Sequence, residues 1–425
     1  MKKILIKILK TLSKLVIQKY RPEVIAITGS VGKTSSKEAI AQILDNKFNV
    51  RKTASNYNNE IGVPLTILGI QKSPGKSIWG WFLVFIKALV LLIIPAKYPD
   101  KLILEFGADH KGDIEYLVEF IPVYIGVLTR VSRVHIQYFK TLGSVFNEKK
   151  KIFSNINPKG WAIINNDDDL VKTLKKELTC KTVSYAIKNE SDVQATDLQI
   201  MSRDGIIGMN FKLKYQGNVV PAFLPNTLGF AQVYAFLSGV SVALQYGFNL
   251  VEVSTFAREY VSPKGRTNLI KAIKNSYIID DSYNSSPEAA KMSLDLLSSM
   301  RSLILGKRIA VLSDMLELGR ESVPAHKEIG EYVVNKGIDV LLTTGDISRN
   351  TYLAAQKLGM SDNDNRYFKD KKDLISYLKS IIKKDDLILV KGSQDSRMEE
   401  LVKSIMKEPG QAKDLLVRQS SAWIK

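Results

Sequence analysis

The segment from Val24 to Ile40 constrains the fold more than any other part of the chain, and its sequence is VIAITGSVGKTSSKEAI. The apolar run Val24–Thr28 has the composition of a buried strand, and the residues from Lys33 to Leu44 have the pattern of a helix. A turn that contains two glycines lies between them. A strand, a glycine turn and a helix N-terminus direct backbone N–H groups at one place, which is an arrangement that binds phosphate.

This loop predicts a nucleotide site, although its spacing is unusual. Only Ser30 and Val31 separate the two glycines, whereas the common phosphate loop has four residues between them. We expect Lys33 to reach the outer phosphates and the hydroxyl of Thr34 to hold Mg²⁺. A structural turn without a ligand is the alternative. The candidate phosphate-binding residues are Gly29, Ser30, Gly32, Lys33, Thr34 and Ser35.

The alternation of strand and helix continues along the chain and predicts an α/β fold with a parallel sheet. Further apolar runs lie at Leu102–Glu105, Val123–Thr129 and Trp161–Ile164. Polar residues stand at their carboxyl ends, among them Glu105 and Asn165. Ligands of such sheets bind at the carboxyl ends of the strands, so both residues are candidates for the site.

The pattern changes in the second half of the chain. Residues 193–225 alternate in a way that predicts strands, with Gly205, Gly208 and Gly217 as turn candidates, and an apolar helix is expected at about 230–246. The cluster Ser262–Gly265 has the composition of a domain boundary. Strands separated by helices are then expected at Tyr277–Asp280, Arg308–Leu312, Val340–Thr343 and Asp386–Val390.

Composition restricts the class of protein. The single cysteine, Cys180, excludes an intramolecular disulfide and fits a reducing compartment, which predicts a cytoplasmic location. The net charge of +18 favours anionic partners. The lysines are scattered and no nucleic-acid-binding motif occurs, so nucleic acid is not an expected partner.

Two segments suggest peripheral contact with the inner face of the cytoplasmic membrane. Residues 1–20 predict a basic amphipathic helix, with Lys3, Lys7, Lys10 and Lys14 along one edge and apolar side chains on the opposite face. Trp79–Pro95 is apolar but short for a membrane span, and it contains Lys87. We expect an interfacial hairpin there, with a helix buried inside the protein as the alternative.

Seven segments, in order from about Val24 to Val402, together resemble one family. They are TGSVGKTS, NYNNEIGVPLTIL, LEFGADHKGDIEYL, VSRVHIQYF followed by EKKKIF, DDSYNSSPEAA, LSDMLELG followed by a histidine, and VKGSQDSRMEELV. The set resembles the Mur ligase family of ATP-dependent amide ligases, and within it the branch that joins D-alanyl-D-alanine to a UDP-N-acetylmuramoyl tripeptide. The shortened GxxGKT loop is the form which that family uses.

The resemblance implies a fold and a reaction. It implies a P-loop NTPase-like central domain with a parallel sheet at 23–261, carrying an apolar insertion at about 76–97, and a Rossmann-like α/β domain at 262–425, after the helix at 1–22. It implies that ATP converts a carboxylate of a cell-wall precursor into an acyl phosphate. The amine of an amino acid or dipeptide then displaces phosphate. Two Mg²⁺ ions are expected.

For the metal ions, the resemblance implies specific residues. Lys33 would contact the β- and γ-phosphates, and Thr34 and Glu105 would hold the first Mg²⁺. His135 would help to hold the second, together with a carbamylated lysine whose spacing falls on Lys149. A carbamate turns a cation into an anionic oxygen ligand that suits Mg²⁺.

The lysine assignment has a neighbour and a simpler alternative. Lys150 and Lys151 adjoin Lys149, so the match could shift by one residue. A solvated helix face is the other interpretation of the three lysines.

The resemblance also implies substrate contacts. The acceptor substrate would lie near Asn56, Asn58 and Asn59. The nucleotide would meet Asn165, Gln232, Arg266, Asp281, Tyr283 and Asn284, with Arg266 on the hinge side and Gln232 in the place of an asparagine that contacts adenine. The amino component would meet Lys391, Ser393 and Glu399.

Two departures from the family pattern leave alternatives open. Fewer than thirty residues precede Thr28, where the family has a domain that holds the UDP-sugar. This puts recognition of a UDP-linked acceptor in doubt and, with the two membrane-seeking segments, suggests a lipid-linked or membrane-proximal substrate. A folylpolyglutamate-synthase-like ligase, or an ATP-dependent membrane-associated switch that ligates nothing, are the alternative functions.

Overall fold

The computed structural model describes residues 2–54, 57–132, 136–420 and 423. The strands in this part of the chain form one sheet of nine strands and one of six. Both sheets are mainly parallel and alternate with helices, which confirms the α/β class expected from the sequence.

The strands of the first sheet are β1 (Glu23–Thr28), β2 (Val50–Lys52), β3 (Lys101–Glu105), β4 (Val123–Leu128), β5 (Ile156–Asn165), β6 (Lys181–Ala186), β7 (Val193–Arg203), β8 (Ile206–Tyr215) and β9 (Asn218–Pro225). Their spatial order is β2-β3-β1-β4-β5-β6-β7-β8-β9. β1 pairs in parallel with β3 on one side and with β4 on the other. The connections therefore diverge at the carboxyl end of β1, the position where open α/β sheets bind ligands.

The helices that accompany this sheet are α1 (Lys2–Tyr20), α2 (Lys33–Leu44), α3 (Gly62–Ile67), α4 (Ile78–Ile93), α5 (Asp113–Val118), α6 (Ile136–Phe139), α7 (Leu142–Lys149), α8 (Leu174–Glu177), α9 (Phe230–Gln245) and α10 (Leu250–Phe256). The apolar residues of β1 are fully buried, as expected for a strand covered on both faces. α2 has the predicted bounds, and α9 differs from the prediction by one residue at its end.

Two of the three predicted turns lie between β7, β8 and β9. Gly205 and Gly217 have φ angles of 77° and 78°, in the left-handed region that glycine adopts without strain. The expected turn at Gly208 is wrong, because this residue lies inside β8. A Cβ atom at Gly208 would be 2.2 Å from the carbonyl oxygen of Leu224, so the glycine permits a close approach of two strands.

The N-terminal segment is a helix, as predicted, but only part of its apolar face is free. Leu9, Val16 and Ile17 are buried where α1 packs against α3 and α4. The Nζ atom of Lys19 donates to the carbonyl oxygens of Leu91, Leu92 and Ile94 at 2.8, 3.0 and 3.2 Å. α1 is thus joined to the end of α4 by hydrogen bonds as well as by apolar contact.

The apolar segment after residue 76 forms the single helix α4, so the expected hairpin is wrong. The alternative, a helix buried inside the protein, is also wrong: Val84, Ala88 and Leu91 are buried, and most of the other large side chains are exposed. Three buried residues at spacings of four and three form one stripe. In the described part of the chain, no helix is both long and apolar enough to cross a membrane.

The second sheet consists of β10 (Asn268–Lys271), β11 (Tyr277–Asp281), β12 (Arg308–Ser313), β13 (Val340–Thr344), β14 (Asn365–Phe368) and β15 (Leu387–Lys391). Their order is β10-β11-β15-β12-β13-β14, and only the pairing of β10 with β11 is antiparallel. The associated helices are α11 (Pro287–Ser299), α12 (Ser322–Asn335), α13 (Arg349–Lys357), α14 (Lys371–Ile381), α15 (Glu399–Ile405) and α16 (Ala412–Leu415). Apolar clusters fill both faces of this sheet.

The chain divides into two compact units. The first contains Met1–Asp197, Phe211–Ala222 and Val233–Tyr260, and the second contains Leu198–Asn210, Phe223–Gln232 and Val261–Lys425. The candidate phosphate loop belongs to the first unit.

Candidate active site

The candidate phosphate loop joins β1 to α2 and depends on its two glycines. A Cβ atom at Gly29 would lie 1.9 Å from Oγ1 of Thr129, so this position accepts no side chain as it stands. Gly32 precedes α2 with φ 90°, which is in the left-handed region. The unusual spacing therefore forms a tight loop directly before a helix N-terminus, where free N–H groups favour an anion.

Ser30 holds this loop against the segment that follows β4. Its backbone N–H donates to the carbonyl oxygen of Arg130 at 2.6 Å, and its hydroxyl exchanges hydrogen bonds with the backbone of Ser132. The hydroxyl of Ser30 is therefore hydrogen-bonded within the protein. Ser35, in the first turn of α2, is buried.

Lys33 lies over the loop that precedes it. Its Nζ atom donates to the carbonyl oxygen of Gly29 at 2.8 Å and to that of Ser30 at 3.4 Å. The positive charge is thus held at the loop, beside the first turn of α2. The contact of Lys33 with phosphate stays a prediction.

Thr34 and Glu105 are in contact although they are 71 positions apart. The hydroxyl of Thr34 donates to Oε2 of Glu105 at 3.1 Å, and Nδ2 of Asn58 donates to Oε1 at 3.3 Å. Glu105 is buried at the carboxyl end of β3. A hydroxyl and a carboxylate beside a phosphate loop are oxygen donors of the type that Mg²⁺ prefers.

Asn59 has a structural role in the first unit. Its Oδ1 atom accepts hydrogen bonds from the backbone N–H groups of Ile61 and Gly62 at 3.2 and 2.9 Å, at the start of α3. Asn165 is buried at the end of β5, where its Oδ1 atom accepts from the N–H of Asp167 at 3.0 Å. Two other predicted site residues, Asn56 and His135, lie outside the described residues.

Lys149 is the last residue of α7, and its side chain is only 2% exposed. Burial, and to a smaller extent the charge of Lys33, lower the pKa of this lysine to about 7 against the raising effect of Asp109. The effect of Lys33 on Lys149 indicates that the end of α7 lies near the phosphate loop. An amine with this pKa is about half neutral at pH 7.

The three adjacent lysines differ in their surroundings. Lys150 and Lys151 form ion pairs with Glu177 and Glu115 at 3.5 and 2.6 Å, and both remain partly exposed. Lys149 alone of these three is buried. The geometry thus separates Lys149 from its neighbours.

In the second unit, Arg266 and Tyr283 stack, with the guanidinium carbon 4.1 Å from the ring centroid. Nε2 of Gln232 donates to the carbonyl oxygen of Arg266 at 3.0 Å. Among the described residues, the buried Nε atom of Arg266 has no hydrogen-bond partner. Arg266 therefore has a donor that a bound anion could use.

Asp281 and Lys391 form a buried ion pair across β11 and β15. The Nζ atom of Lys391 also donates to the carbonyl oxygen of Asn284 at 3.0 Å, and Ser293 donates to Asp281. Burial lowers the pKa of Lys391, against the raising effect of Asp281. Three predicted site residues are thus brought together, and two of them neutralise each other.

The remaining candidates of the second unit are also buried. Ser393 accepts a hydrogen bond from the N–H of Leu316 at 2.8 Å. Glu399 accepts from Arg397 and Arg418 at 2.6 and 2.7 Å. Burial alone would raise the pKa of Glu399, but these hydrogen bonds outweigh it and lower the pKa. Both side chains hold this region of the second unit together.

Comparisons with known proteins agree with the geometry of both units. The model of the Mur ligase middle domain matches residues 27–79 and 85–225, and that of the Mur ligase, glutamate ligase domain matches residues 265–394. A UDP-N-acetylmuramoyl-tripeptide--D-alanyl-D-alanine ligase of Buchnera aphidicola is 30% identical over 388 residues, which cover 91% of this chain and 75% of that protein. The chain belongs to the Mur ligase family.

Other Mur ligases have similar sequences and folds. The UDP-N-acetylmuramoyl-tripeptide--D-alanyl-D-alanine ligase of Bacillus subtilis is 28% identical over 402 residues, covering 94% of this chain and 79% of that protein. A solved structure of MurF ligase from Thermotoga maritima in complex with ADP has the same fold, with a TM-score of 0.77 and 24% identity. The match covers 96% of this chain and 84% of the Thermotoga maritima chain. Membership of this family of ATP-dependent amide-bond ligases confirms the enzyme class implied by the motifs.

Three further residues with notable contacts were not assigned from the sequence. Lys37 is buried in α2, where it donates to the carbonyl oxygen of Thr53 at 2.8 Å and approaches Glu105. His326 accepts from the N–H of Met315 through Nε2, which leaves Nδ1 to donate to Ser322. Arg418 donates to Glu399 and to two carbonyl oxygens after β11. The histidine was part of a recognised motif, whereas no local signal distinguished Lys37 or Arg418 from surface cations.

Proposed function

We propose that this Mur ligase uses ATP to join an amino acid or dipeptide, D-alanyl-D-alanine foremost, to the carboxylate of a peptidoglycan precursor. The observation that carries the proposal is the group formed by Lys33, the Thr34–Glu105 contact and the buried Lys149 at the end of β1. The similarity to D-alanyl-D-alanine ligases supports the choice of amino component.

The phosphate loop would bind the triphosphate. The N–H groups at the start of α2 and the ammonium group of Lys33 would offset its negative charge, which also repels the substrate carboxylate. One carboxylate oxygen then attacks the γ-phosphorus, and the bond between that phosphorus and the bridging oxygen breaks to release ADP. The resulting acyl phosphate has a good leaving group where the carboxylate had none.

The residues present fit Mg²⁺. Thr34 and Glu105 would hold one ion, and His135 with a carbamate on Lys149 would hold another. Bound Mg²⁺ would supply charge stabilisation for the transferring phosphoryl group. The hydroxyl of Thr34 and the amide of Asn58 hold the Glu105 carboxylate in place.

Carbamylation of Lys149 is consistent with its burial. A neutral amine attacks CO₂, a nitrogen–carbon bond forms, and one proton is released to give an anionic carbamate. The lowered pKa of Lys149 makes the neutral amine available near pH 7. An exposed lysine, with a pKa near 10.4, would be almost entirely charged at that pH.

The second step would join the two substrates. The amine nitrogen attacks the acyl carbon, phosphate leaves, and the amine loses a proton as the amide forms. We propose that Asn56, Asn58 and Asn59 face the acceptor, that Asn165, Gln232, Arg266, Asp281, Tyr283 and Asn284 serve the nucleotide, and that Lys391, Ser393 and Glu399 serve the amino component. We also propose a cytoplasmic location, where ATP is available and Cys180 would stay reduced.

A substrate-pair assay tests this function. Full-length protein is given ATP and Mg²⁺ with each combination of acceptor and amine, where the acceptors include muramoyl peptides and a folate, while phosphate release and product mass are measured. Ligation predicts phosphate release that needs both substrates, and a product heavier by the amino component less water. Phosphate release that is indifferent to both substrates overturns the ligase and favours an ATP-dependent switch. A glutamate-extended folate as the preferred product would favour the folylpolyglutamate-type alternative.

A further inference from the structure

The helix α4 exposes an unusual amount of apolar surface. Ile78 is 84% exposed and Trp79 is 77% exposed. The large apolar side chains exposed along the helix are Ile78, Trp79, Phe82, Leu83, Ile86, Leu89, Val90 and Ile93. Monomeric soluble proteins rarely expose a continuous apolar patch of more than a few hundred Å². We therefore expect this surface to bind a partner.

The helix is held by a narrow stripe and leaves its broad face free. Val84, Ala88 and Leu91 are buried against the first unit. The only charged residue of α4 is Lys87, and its Nζ atom donates to the carbonyl oxygen of Gly69 at 2.6 Å. The ammonium group of Lys87 is thus hydrogen-bonded to the protein backbone.

The outer face of α1 adds positive charge beside α4. Lys3, Lys7 and Lys14 are exposed, and none of the described residues forms an ion pair with them. Ile4, Ile8 and Leu15 are exposed on the same face, at 66%, 40% and 43%. α1 contains no acidic residue. Lysines interleaved with apolar side chains are typical of a helix that lies on an anionic lipid surface.

We propose that α4 and the outer face of α1 form a docking surface for an anionic lipid bilayer, on which α4 lies in the interface. The apolar side chains of α4 would enter the headgroup–acyl boundary, and the lysines of α1 would meet lipid phosphates. α4 has 16 residues, fewer than the roughly 20 that a span requires. Two weak attractions of different kind together give stable binding where either alone is marginal.

The charge pattern favours lipid over a second copy of the chain. In a two-fold dimer the same surface meets itself, so the lysines of one α1 would face those of the other. No carboxylate of α1 or α4 could pair with them. An anionic bilayer supplies both the apolar medium and the opposite charge.

Flotation of the full-length protein with vesicles tests the proposal. Vesicles of phosphatidylcholine alone are compared with vesicles that contain one quarter phosphatidylglycerol, at low and at physiological salt. We expect binding to the anionic vesicles, and binding that weakens as salt rises. Vesicles containing brominated lipid should also quench tryptophan fluorescence of the unmodified protein, because Trp79 would enter the bilayer.

Two sets of variants separate the apolar and charged contributions. The double variant Trp79→Ser with Leu83→Ser should reduce vesicle binding at least about tenfold. The triple variant Lys3→Gln, Lys7→Gln and Lys14→Gln should reduce it by about 100-fold on anionic vesicles, at roughly fivefold per lysine. The matched control, Val219→Ser with Val251→Ser, changes two exposed apolar residues elsewhere on the first unit and should bind like the unmodified chain.

Three results would overturn the proposal. One is no flotation and no quenching at low salt. Another is equal loss of binding in the control variant. The third is concentration-dependent self-association in sedimentation that the Trp79→Ser, Leu83→Ser variant abolishes, without vesicle binding, which would assign the surface to a second copy. Circular dichroism melting of each variant shows whether the fold is retained.

Discussion

The Nζ atom of Lys37 lies 3.9 Å from Oε2 of Glu105, the carboxylate that also accepts from Thr34. Both side chains are buried, and Lys37 is only 1% exposed. A buried carboxylate needs a partner of opposite charge, because its desolvation is costly. Lys37 therefore supplies a positive charge beside the buried carboxylate that is the candidate metal ligand.

Replacing Lys37 by Met should lower the free energy of unfolding by about 3 kcal/mol, since it removes the cation that lies beside the buried Glu105 carboxylate and 3.3 Å from Glu38. Urea unfolding measures the change. Lys47→Met serves as the control, because Lys47 pairs with Glu252 at the surface and should cost less than about 1 kcal/mol. Adding Glu105→Gln to Lys37→Met should recover part of the loss, and no recovery would contradict the pairing.

Glu105→Gln should lower the affinity of the enzyme for Mg²⁺. Changes to residues that only support a metal ligand already cost about 10- to 100-fold in affinity, so loss of a direct ligand should cost at least about 100-fold. The measurement is a Mg²⁺ titration of ligase activity, in which the half-saturating concentration should rise. Glu115→Gln removes an exposed carboxylate that pairs with Lys151, and it should leave the titration unchanged. An unaltered midpoint in Glu105→Gln would exclude it as a ligand.

Activity should depend on dissolved CO₂ through Lys149. Protein freed of CO₂ at low pH should lose activity and regain it with bicarbonate, and the rate of recovery should rise through about pH 7 as the amine of Lys149 becomes neutral. Carbon-13 NMR with labelled bicarbonate should detect one protected carbamate. Lys149→Arg should abolish both signal and activity, whereas Lys151→Arg should keep them. Recovery that is independent of pH between 6 and 8 would contradict a role for this amine.

Because of Asp280, the free energy of unfolding should fall as pH rises. Burial raises its pKa to about 6, and its Oδ2 atom has no hydrogen-bond partner among the described residues. The folded state therefore binds a proton that the unfolded state has lost above about pH 3.9, so stability falls as pH rises towards 6. Asp280→Asn should be more stable than the unmodified chain at pH 7.5 by up to about 3 kcal/mol, with no difference near pH 3.5.

Thermal unfolding at several pH values measures this effect. Asp295→Asn, at a surface carboxylate that pairs with Lys336, is the matched control for the substitution. A constant difference between Asp280→Asn and the unmodified chain across this range would mean that Asp280 does not titrate in the folded protein.

The contact of Thr34 with Glu105 was predictable, because both follow apolar strands whose carboxyl ends share one edge of a parallel sheet. The burial of Lys149 was not. It stands in a run of three lysines, and helical periodicity cannot decide which of them faces inward when the helix ends at that point. Only the packing of α7 against α5 makes the choice.

The ion pair of Asp281 with Lys391 was not predictable either, although both residues were assigned to the site. Asp281 and Lys391 are 110 positions apart, and each taken alone could be a surface charge. The exposure of α4 was not predictable for a similar reason. Composition indicates how apolar a segment is, but it does not indicate which side of the helix other helices cover. The segment expected to form a hairpin is a single helix, and α1 packs against it.

The hydrogen bonds from Lys19 and Tyr20 to the end of α4 have a consequence for dehydration. The last carbonyl groups of a helix lack partners within it and normally bind water. In this chain Lys19 serves the carbonyl oxygens of Leu91, Leu92 and Ile94, and the hydroxyl of Tyr20 serves Leu91 as well. The end of α4 can therefore be removed from water while its carbonyl groups stay hydrogen-bonded, provided that α1 moves with it.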